Sequence, residues 1–449
     1  MLKVFYPKGA GESLLLLFSM LIINTTIITQ NKARQIIARG FVYIKNGEIT
    51  AVGSGDYSGD LSIVGEIIDA TGYIISPGFI NAHVHLGETI YTNFIKKPLP
   101  LEAYLATTNK ISLQSEAIER EREIICDYTL LQFIRSGTTA IAGGRSHGSG
   151  ERIRILNISG YMLMQSPKLG KFSRNLEKQF QQFYDSVDRS VTSPALFIHS
   201  LATINKEILS QAQRIERGYP KLIIMAHVAE TRKVESKTNE EFGMSSVSVL
   251  KKYNLLNNRT LLIHGNNLLK EDMELIRKSG AYIIHCLSSN LSTADGTVDL
   301  TQMKIEQIPA CIATDGFVTS GTFSVLSEAR KSFLFHNKNS AATPIVSSQE
   351  IFDMITINPA RVLGIQKKAG SIEVGKRADL VFFKCDSASI QDPINYLIEK
   401  TSLDVDSVIV GGKKILWRQK FQSLDDAKIN ENYLKVIAQV KDDLESKIA

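Results

Sequence analysis

Short apolar segments alternate with longer amphipathic segments from residue 76 onward, and this alternation constrains the fold more than any other feature. Strand-length and helix-length patterns in alternation are typical of parallel βα units. Eight strand segments predict an α/β fold, a (β/α)₈ TIM barrel, with functional residues at the C-terminal ends of the strands. In order, the segments are GYIISPGFINAHVH, GTTAIAGG, RILNISGYM, ALFIHS, KLIIMAHVAE, TLLIHG, AYIIHC and ACIATDG.

Segments with β character flank the barrel region, residues 76–369, on both sides. Residues 20–75 contain the hairpin signal Asn46-Gly47, and residues 370–420 contain a Gly-Gly turn signal. We expect these two regions to pair into one small composite β-sandwich domain formed by both chain ends. Residues 1–19 are interpreted as an N-terminal extension, with the fold beginning at Met20. Residues 421–449 predict an amphipathic helix that packs against the barrel or against a second copy, which leaves a homo-oligomer open.

The composition argues against several classes of protein. The net charge of +6 is spread over 449 residues without a basic block, which argues against nucleic acid as a partner. No run reaches the roughly 20 apolar residues of a membrane span, so no membrane partner is expected. The four cysteines lie far apart and form no CxxC pair, which favours a reducing compartment and a cytoplasmic protein.

The first strand segment ends in His83-Val84-His85. Residues i and i+2 of a strand face the same side, so both imidazoles can reach one object. Two imidazoles directed at one point are typical of a metal site. A hydrogen-bonded histidine pair at a strand end fits these two residues equally well, so the choice depends on further ligands.

Further polar side chains fall at the ends of the later strands, one for each of the fourth to eighth segments: His199, His227, His264, His285 and Asp315. The C-terminal ends of barrel strands meet at one mouth, so these side chains are expected to converge. Six of the eight histidines at strand ends favour a metal site over core histidines scattered at random. His147 and His336 receive no role.

Six motifs, taken together and in order over residues 20 to 420, resemble the amidohydrolase superfamily. They are SPGFINAHVHLGE, HVAET, LLIHG, HCLSSNLS, ATDG and GSIEVGKRADLVFF. The resemblance is greatest to the mononuclear aminohydrolase branch, which includes S-adenosylhomocysteine, guanine and cytosine deaminases and related chlorohydrolases. The binuclear branch carries a carboxylated lysine on strand four, and ALFIHS has no lysine, so the resemblance implies one metal ion.

The resemblance implies a role for each matching residue. One divalent metal ion would be bound by three histidines and one aspartate: His83, His85, His227 and Asp315. Asp315 would also orient the attacking hydroxide, Glu230 of HVAET would be the proton shuttle, and His264 would polarise the water or the tetrahedral intermediate. His199 would line the substrate pocket. Zn²⁺ is the expected ion, and Fe²⁺ or Mn²⁺ suits the same ligands.

Three further residues are candidates for substrate binding. Glu88 could accept a hydrogen bond from an exocyclic amino group or a ring N–H, with an exposed loop carboxylate as the equal alternative. Tyr104, in LPLEAYL, lies where many adenosine-type deaminases carry a tryptophan. Arg145, in GGRSHGSGE, could hold a substrate carboxylate or phosphate, although an ordinary loop is favoured there. A strand is expected directly after this loop.

Hydrolysis is the chemistry expected of this set of ligands. Three imidazoles and a carboxylate leave one position for water, and Glu230 can carry a proton from that water to a leaving amine. We therefore expect a metal-dependent hydrolytic deaminase whose small-molecule substrate is an amino-substituted heterocycle: a purine, pterin, pyrimidine or modified nucleoside. Hydrolysis of another C–N bond, as in a cyclic amide, or of a C–halogen bond is the alternative. A catalytically silent barrel is disfavoured because all four ligands and Glu230 are present.

Overall fold

The computed structural model describes residues 2–5, 19–146, 148–164, 175–293, 296–338, 345–385, 390–399 and 404–447. Its strands are β1 Lys3–Phe5, β2 Ser19–Ile28, β3 Ile36–Lys45, β4 Glu48–Ser54, β5 Glu66–Asp69, β6 Tyr73–Pro77, β7 Phe79–Val84, β8 Thr138–Gly144, β9 Leu156–Leu163, β10 Thr192–Ile198, β11 Ile223–Val228, β12 Thr260–His264, β13 Tyr282–His285, β14 Ala310–Ile312, β15 Leu380–Lys384, β16 Val405–Val410, β17 Lys413–Trp417 and β18 Lys420–Phe421.

The helices lie mostly between the barrel strands. They are α1 Leu101–Gln114, α2 Ala117–Arg120, α3 Arg122–Arg135, α4 Ser149–Ile153, α5 Leu176–Ser186, α6 Lys206–Gly218, α7 Arg232–Phe242, α8 Ser246–Lys252, α9 Lys270–Ser279, α10 Leu287–Thr293, α11 Leu300–Ile305, α12 Phe317–Ser320, α13 Val325–Asn337, α14 Ser348–Asp353, α15 Ile357–Val362, α16 Pro393–Glu399 and α17 Asp426–Ser446. Within the described ranges, none of these helices has the length and apolar character needed to cross a membrane.

The chain divides into two compact units, each assembled from segments that are distant in sequence. The first unit comprises residues 1–80, 133–140 and 347–425. The second comprises residues 81–132, 141–346 and 426–449.

The first unit is built around a sheet that joins both ends of the chain. β6 pairs antiparallel with β15, so segments before and after the barrel share one sheet, as expected. Asn46 and Gly47, with φ of 52° and 84°, form the turn between β3 and β4, and the Gly411-Gly412 turn joins β16 to β17. The core of this unit combines buried side chains from both segments, including Ile22, Ile75, Leu380 and Phe382.

Segment 72–85, expected as one barrel strand, is two strands, so that expectation is wrong. β6 belongs to the sheet of the first unit and β7 belongs to the barrel. The change occurs at Pro77-Gly78, because Pro77 has no N–H to continue a ladder. The N–H of Gly78 donates to the carbonyl of Asp379, and the N–H of Phe79 donates to the carbonyl of Gly137.

Two further differences concern the first residues and the loop after β8. Residues 3–5, expected in an extension, form β1 and pair antiparallel with β5. Most of the expected extension, residues 6–18, lies outside the described residues. The loop after β8 leads into the short helix α4 before β9 begins, whereas a strand was expected directly.

The second sheet contains the eight expected barrel strands, β7 to β14, in sequence order. Side-chain and backbone contacts join its two edges, so the barrel is nearly closed. The N–H of Asp315 donates to the carbonyl of His83 at 3.1 Å, and Val84 forms a parallel bridge with Asp315. Oδ1 of Asn81 accepts from the N–H of Thr314, and Nδ2 of Asn81 donates to Oγ1 of Thr314. The first and last strand ends are therefore held side by side.

The helices cover the outer face of the barrel because alternate side chains of each strand point outward. On β11, Ile224 and Ala226 belong to the apolar layer shared with the helices, so His227 lies on the opposite, inner face. α6 contributes to this layer, and its N-terminus is capped where Oδ1 of Asn205 accepts from the N–H of Ile208. Each fully buried aliphatic side chain in such a layer stabilises the fold by about 1.5–3 kcal/mol.

The C-terminal helix α17 packs within the second unit. Tyr433, Val436 and Val440 are buried in a cluster with Ile111, and the ring of Tyr433 stacks on Tyr128 with centroids 3.9 Å apart. Of the two arrangements expected for this helix, packing on the chain's own barrel region is therefore the one observed. The homo-oligomer stays a prediction.

Candidate metal centre

Four side chains from the ends of β7, β11 and β14 meet at the mouth of the barrel. Nε2 of His83 lies 3.0 Å from Nε2 of His85 and 3.2 Å from Nε2 of His227. Oδ1 of Asp315 lies 3.3 Å from Nε2 of His83 and 3.1 Å from Nε2 of His85. Ligands about 2.0–2.1 Å from a tetrahedral ion are about 3.3 Å from each other, so this arrangement fits one metal ion.

The contacts of Nδ1 in His227 and His85 determine which ring nitrogen of each residue faces the centre. Nδ1 of His227 lies 2.7 Å from the carbonyl oxygen of His199, which can only accept, so this nitrogen carries the proton. Nδ1 of His85 lies 3.2 Å from Oε1 of Glu88. Nε2 of both rings then faces the same point as Nε2 of His83. Convergent lone pairs beside a carboxylate repel one another unless a cation or shared protons lie between them, which matches a divalent metal site.

Burial and neighbouring charges set the protonation of the four side chains in the protein without metal. Burial lowers the pKa of His83 to about 4 and that of His227 well below its usual value. Burial also acts to lower the pKa of His85, but the carboxylates of Glu88 and Asp315 outweigh it and raise that pKa to about 9. Burial acts to raise the pKa of Asp315, yet hydrogen bonds with the histidines hold it well below its usual range. Two neutral imidazoles and a carboxylate are therefore ready to bind metal.

Four non-glycine residues at the mouth have left-handed backbone conformations. Three of them, Arg145, Ala229 and His264, lie at or directly after the end of a barrel strand, and Asp315 lies three residues after β14. Their φ values are 47° to 74°. Such conformations cost about 1–3 kcal/mol each and persist where surrounding contacts hold them. Two of these residues, His264 and Asp315, are among the expected site residues. The strain is invisible in the sequence because none of the four is glycine.

Glu230 and His264 lie together beside the expected ligands. Oε1 of Glu230 is 3.4 Å from Nε2 of His264, whose ring is buried and 5.1 Å from the ring of His227. The backbone carbonyl of Glu230 accepts from the side-chain amides of Asn266 and Asn267. A carboxylate and an imidazole at this distance can pass protons at the edge of a metal centre.

Three of the expected substrate-binding residues also contact the ligands or each other. The ring of His199 lies 5.0 Å from that of His227, and burial, with His85 nearby, lowers the pKa of His199 to about 3. The hydroxyl of Tyr104 donates to Oε2 of Glu88 at 2.7 Å. Glu88 therefore joins Tyr104 to His85, and both of its carboxylate oxygens have a protein neighbour.

Arg145 is the expected site residue that is not in described contact with the histidine cluster. Its guanidinium pairs with Glu119, and both side chains are more than a third exposed. His147, in the same loop, lies outside the described residues.

Two residues that received no role from the sequence support the centre. Oγ of Ser289 donates to Oδ2 of Asp315 at 2.6 Å, and Oδ1 of Asn290 accepts from Nδ1 of His264 at 2.8 Å. Both belong to the HCLSSNLS motif, which contained them without indicating which partner each would contact. The only indication in the sequence that these two residues have a role was the group of polar residues that follows the seventh barrel strand.

Comparison with curated proteins gives relatives along nearly the whole chain. A 5-methylthioadenosine/S-adenosylhomocysteine deaminase of Acetivibrio thermocellus is 26% identical over 437 residues, covering 94% of this chain and 99% of the relative. The enzyme of the same name from Pyrococcus horikoshii is 28% identical and covers 83% of this chain and 90% of the relative. A 5′-deoxyadenosine deaminase of Methanobrevibacter smithii is 25% identical, covering 90% of this chain and 94% of the relative.

Solved structures share the fold at lower identity. An adenosine deaminase from Xanthomonas campestris with bound zinc has a TM-score of 0.85 at 20% identity, covering 94% of this chain and 98% of that one. An atrazine chlorohydrolase from Arthrobacter aurescens, complexed with zinc, has a TM-score of 0.82 at 19% identity, covering 93% and 100%. The profile of the Amidohydrolase family matches residues 74–415, well over half of the sequence. The chain therefore belongs to the amidohydrolase family.

Proposed function

We propose that this enzyme is a zinc-dependent hydrolytic deaminase that removes the amino group of an amino-substituted heterocycle, with adenosine derivatives altered at the 5′ position as the first class to test. The names of the curated relatives support this substrate class. Zinc is supported by the His₃Asp ligand set and by the zinc in two structural neighbours. The observation that carries this proposal is the convergence of the four side chains. Nε2 of His83 lies 3.0–3.3 Å from an atom of each of the other three, and Glu230 lies close by.

Each residue at the centre has a proposed role. His83, His85, His227 and Asp315 bind the ion. When bound there, the ion would supply Lewis acidity that lowers the pKa of a water molecule towards neutral pH. Glu230 would take one proton from the attacking water and deliver it to a ring nitrogen of the substrate as the new C–O bond forms. It would then take the remaining proton of that oxygen and deliver it to the amino group as the C–N bond breaks. Asp315 orients the nucleophile and His264 contacts it. In the overall reaction, water and the amino-substituted ring (R–NH₂) give the ring carbonyl compound and ammonia.

The remaining candidates form the proposed substrate pocket. His199 lines it next to His227, and Glu88 with Tyr104 lies on the side of His85. Arg145 is proposed to receive an anionic group of the substrate after exchange from Glu119. The exposed ion pair makes this exchange inexpensive, because such pairs contribute about 0–1 kcal/mol.

A cytoplasmic location is part of the proposal. All four cysteines are free, and three of them, Cys126, Cys286 and Cys311, are buried. Free cysteines are typical of a reducing compartment.

Ammonia release by the zinc-loaded protein tests the proposal. The panel contains methylthioadenosine, S-adenosylhomocysteine, 5′-deoxyadenosine, guanine, cytosine and a pterin. Glu230→Gln is measured alongside and is expected to lose about 100-fold to 10,000-fold in kcat while keeping its zinc, because Glu230 is not a ligand. A protein that holds zinc and releases no ammonia from any substrate would contradict deamination. Chloride release from a chlorinated s-triazine, or opening of a cyclic amide, would then identify the alternative hydrolysis.

A further inference from the structure

The first turn of α10 holds three parts of the structure through three consecutive side chains. Ser288 contacts Glu328, Ser289 contacts the metal ligand Asp315, and Asn290 contacts His264. The two partners of each contact are 26 to 40 residues apart in the sequence. Because one rigid turn carries all three, the positions of Asp315 and His264 are coupled to the same element.

The contact between Asn290 and His264 determines a tautomer. Oδ1 of Asn290 is a carbonyl oxygen that can only accept, so Nδ1 of His264, 2.8 Å away, carries the proton. The ring is therefore held with Nδ1 towards Asn290 and Nε2 towards Glu230. Nε2 is buried, has no hydrogen-bond partner within the described part of the chain, and lies 3.4 Å from Oε1 of Glu230.

Asn290 makes this one contact with its side chain. Both Asn290 and His264 are about 1% exposed. Nδ2 of Asn290 is buried and has no hydrogen-bond partner among the described residues, so the amide nitrogen contributes no competing contact. A buried amide held with one of its two polar atoms unused costs free energy. The hydrogen bond between the carbonyl oxygen of Asn290 and His264 explains why an asparagine is buried at this position.

The turn that carries Asn290 is anchored by a side chain of α13. Glu328, on α13, is fully buried, and its two oxygens accept from the N–H of Ser288 at 3.1 Å and from Oγ of Ser288 at 2.6 Å. Lys331 lies 3.1 Å from the same carboxylate and provides its counter-charge. Two hydrogen bonds to a buried carboxylate hold the turn in place, and His264 receives its orientation from it.

We propose that Asn290 is a positioning residue that holds a proton on Nδ1 of His264 and so directs Nε2 towards Glu230 and the attacking water. This inference rests on the proposed function. Nε2 of His264 is then the ring atom that contacts the attacking water. Ser289, one residue earlier, positions Asp315 instead, so the two neighbours have separable effects.

Two variants with side chains of similar size distinguish the effect of the acceptor oxygen from the effect of packing. Asn290→Leu removes the acceptor, and Asn290→Asp keeps one. Ser289→Ala is the comparator on the same turn. Zinc-loaded, full-length proteins carrying isotope-labelled histidine are compared by their imidazole nitrogen chemical shifts, with His264→Gln identifying the signals of His264. Zinc content and kcat with KM are measured on the same samples.

We expect the parent and N290D to show a protonated Nδ1 on His264, and N290L to lose this preference. N290L should lose about 100-fold in kcat with bound zinc unchanged, and N290D should keep at least about tenfold more activity than N290L. S289A should bind zinc about tenfold more weakly and leave the His264 tautomer unchanged.

Three results would overturn the proposal. An unchanged tautomer in N290L, an equal loss of kcat in N290D and N290L, or a tautomer change in S289A would each assign the effect to packing or to movement of the whole turn. The chemical shifts need no substrate. If the parent deaminates nothing, the proposed function fails while the tautomer result still decides the role of Asn290.

Discussion

Oε1 of Glu88 lies 3.2 Å from Nδ1 of His85, and this contact directs the other ring nitrogen of His85 towards the expected metal centre. A carboxylate behind a metal-binding histidine fixes the ring and makes it a stronger ligand. Glu88 therefore has a second interpretation besides the substrate recognition proposed for it. The two interpretations predict different effects of replacing Glu88.

Replacing Glu88 by Leu is expected to weaken zinc binding by about 10-fold to 100-fold, since His85 loses its carboxylate partner. Competition with a chromophoric chelator measures this affinity. Tyr104→Phe, which removes only the hydroxyl that donates to Glu88, is the matched control and should weaken zinc binding less. A raised KM with unchanged zinc affinity in Glu88→Leu would instead support substrate recognition.

Removing the metal is expected to lower the stability of the protein. A ligand that binds only the folded state stabilises it by about 4 kcal/mol at a thousand times its Kd. Thermal unfolding with excess zinc and with a chelator should therefore give clearly different Tm values. His227→Ala, which lacks one of the three clustered histidines, should show little difference between the two conditions. Equal Tm values for the parent would contradict a metal site at this position.

Replacing Arg145 by Gln is expected to raise KM for S-adenosylhomocysteine, which carries a carboxylate, and to leave KM for methylthioadenosine unchanged. A hydrogen bond to a charged group contributes about 1.5–3 kcal/mol, so the rise should be about 10-fold or more. Arg154→Gln is the control, because Arg154 forms a similar exposed ion pair, with Asp188. Arg154 precedes β9, so it lies at the N-terminal end of that strand, away from the mouth of the barrel. Equal effects on both substrates would remove Arg145 from substrate binding.

The pair of His285 and His336 predicts a loss of stability in mild acid. Nε2 of each ring lies 3.1 Å from the other, and burial lowers the pKa of His336 to about 4 and that of His285 well below its usual value. The unfolded chain takes up protons below about pH 6.5, whereas the folded protein does not until about pH 4. Stability is therefore unaffected above pH 6.5 and falls between pH 6.5 and 4.

Unfolding by urea with chelated metal at pH 7 and pH 5 tests this. The free energy of unfolding should fall by about 2 kcal/mol less in His336→Gln than in the parent. Equal losses in both proteins would show that His336 does not contribute.

The alternation of strand and helix patterns predicted the barrel correctly because eight apolar segments can bury their residues only by pairing side by side. Asn46-Gly47 predicted its hairpin because the turn needs two left-handed residues. The break at Pro77-Gly78 was missed, because an apolar run does not show which sheet will supply its partners. The roles of individual site residues stay predictions.

The sequence by itself determined that His83 and His85 share a face and that polar residues end the later strands, because these properties follow from the two-residue period of a strand. Only the tertiary structure decided the supporting contacts. Glu88 behind His85, Ser289 at Asp315 and Asn290 at His264 depend on how the barrel closes and where α10 begins. Local patterns carry the direction of a side chain, whereas the partner it meets is set by packing between segments that are distant in sequence.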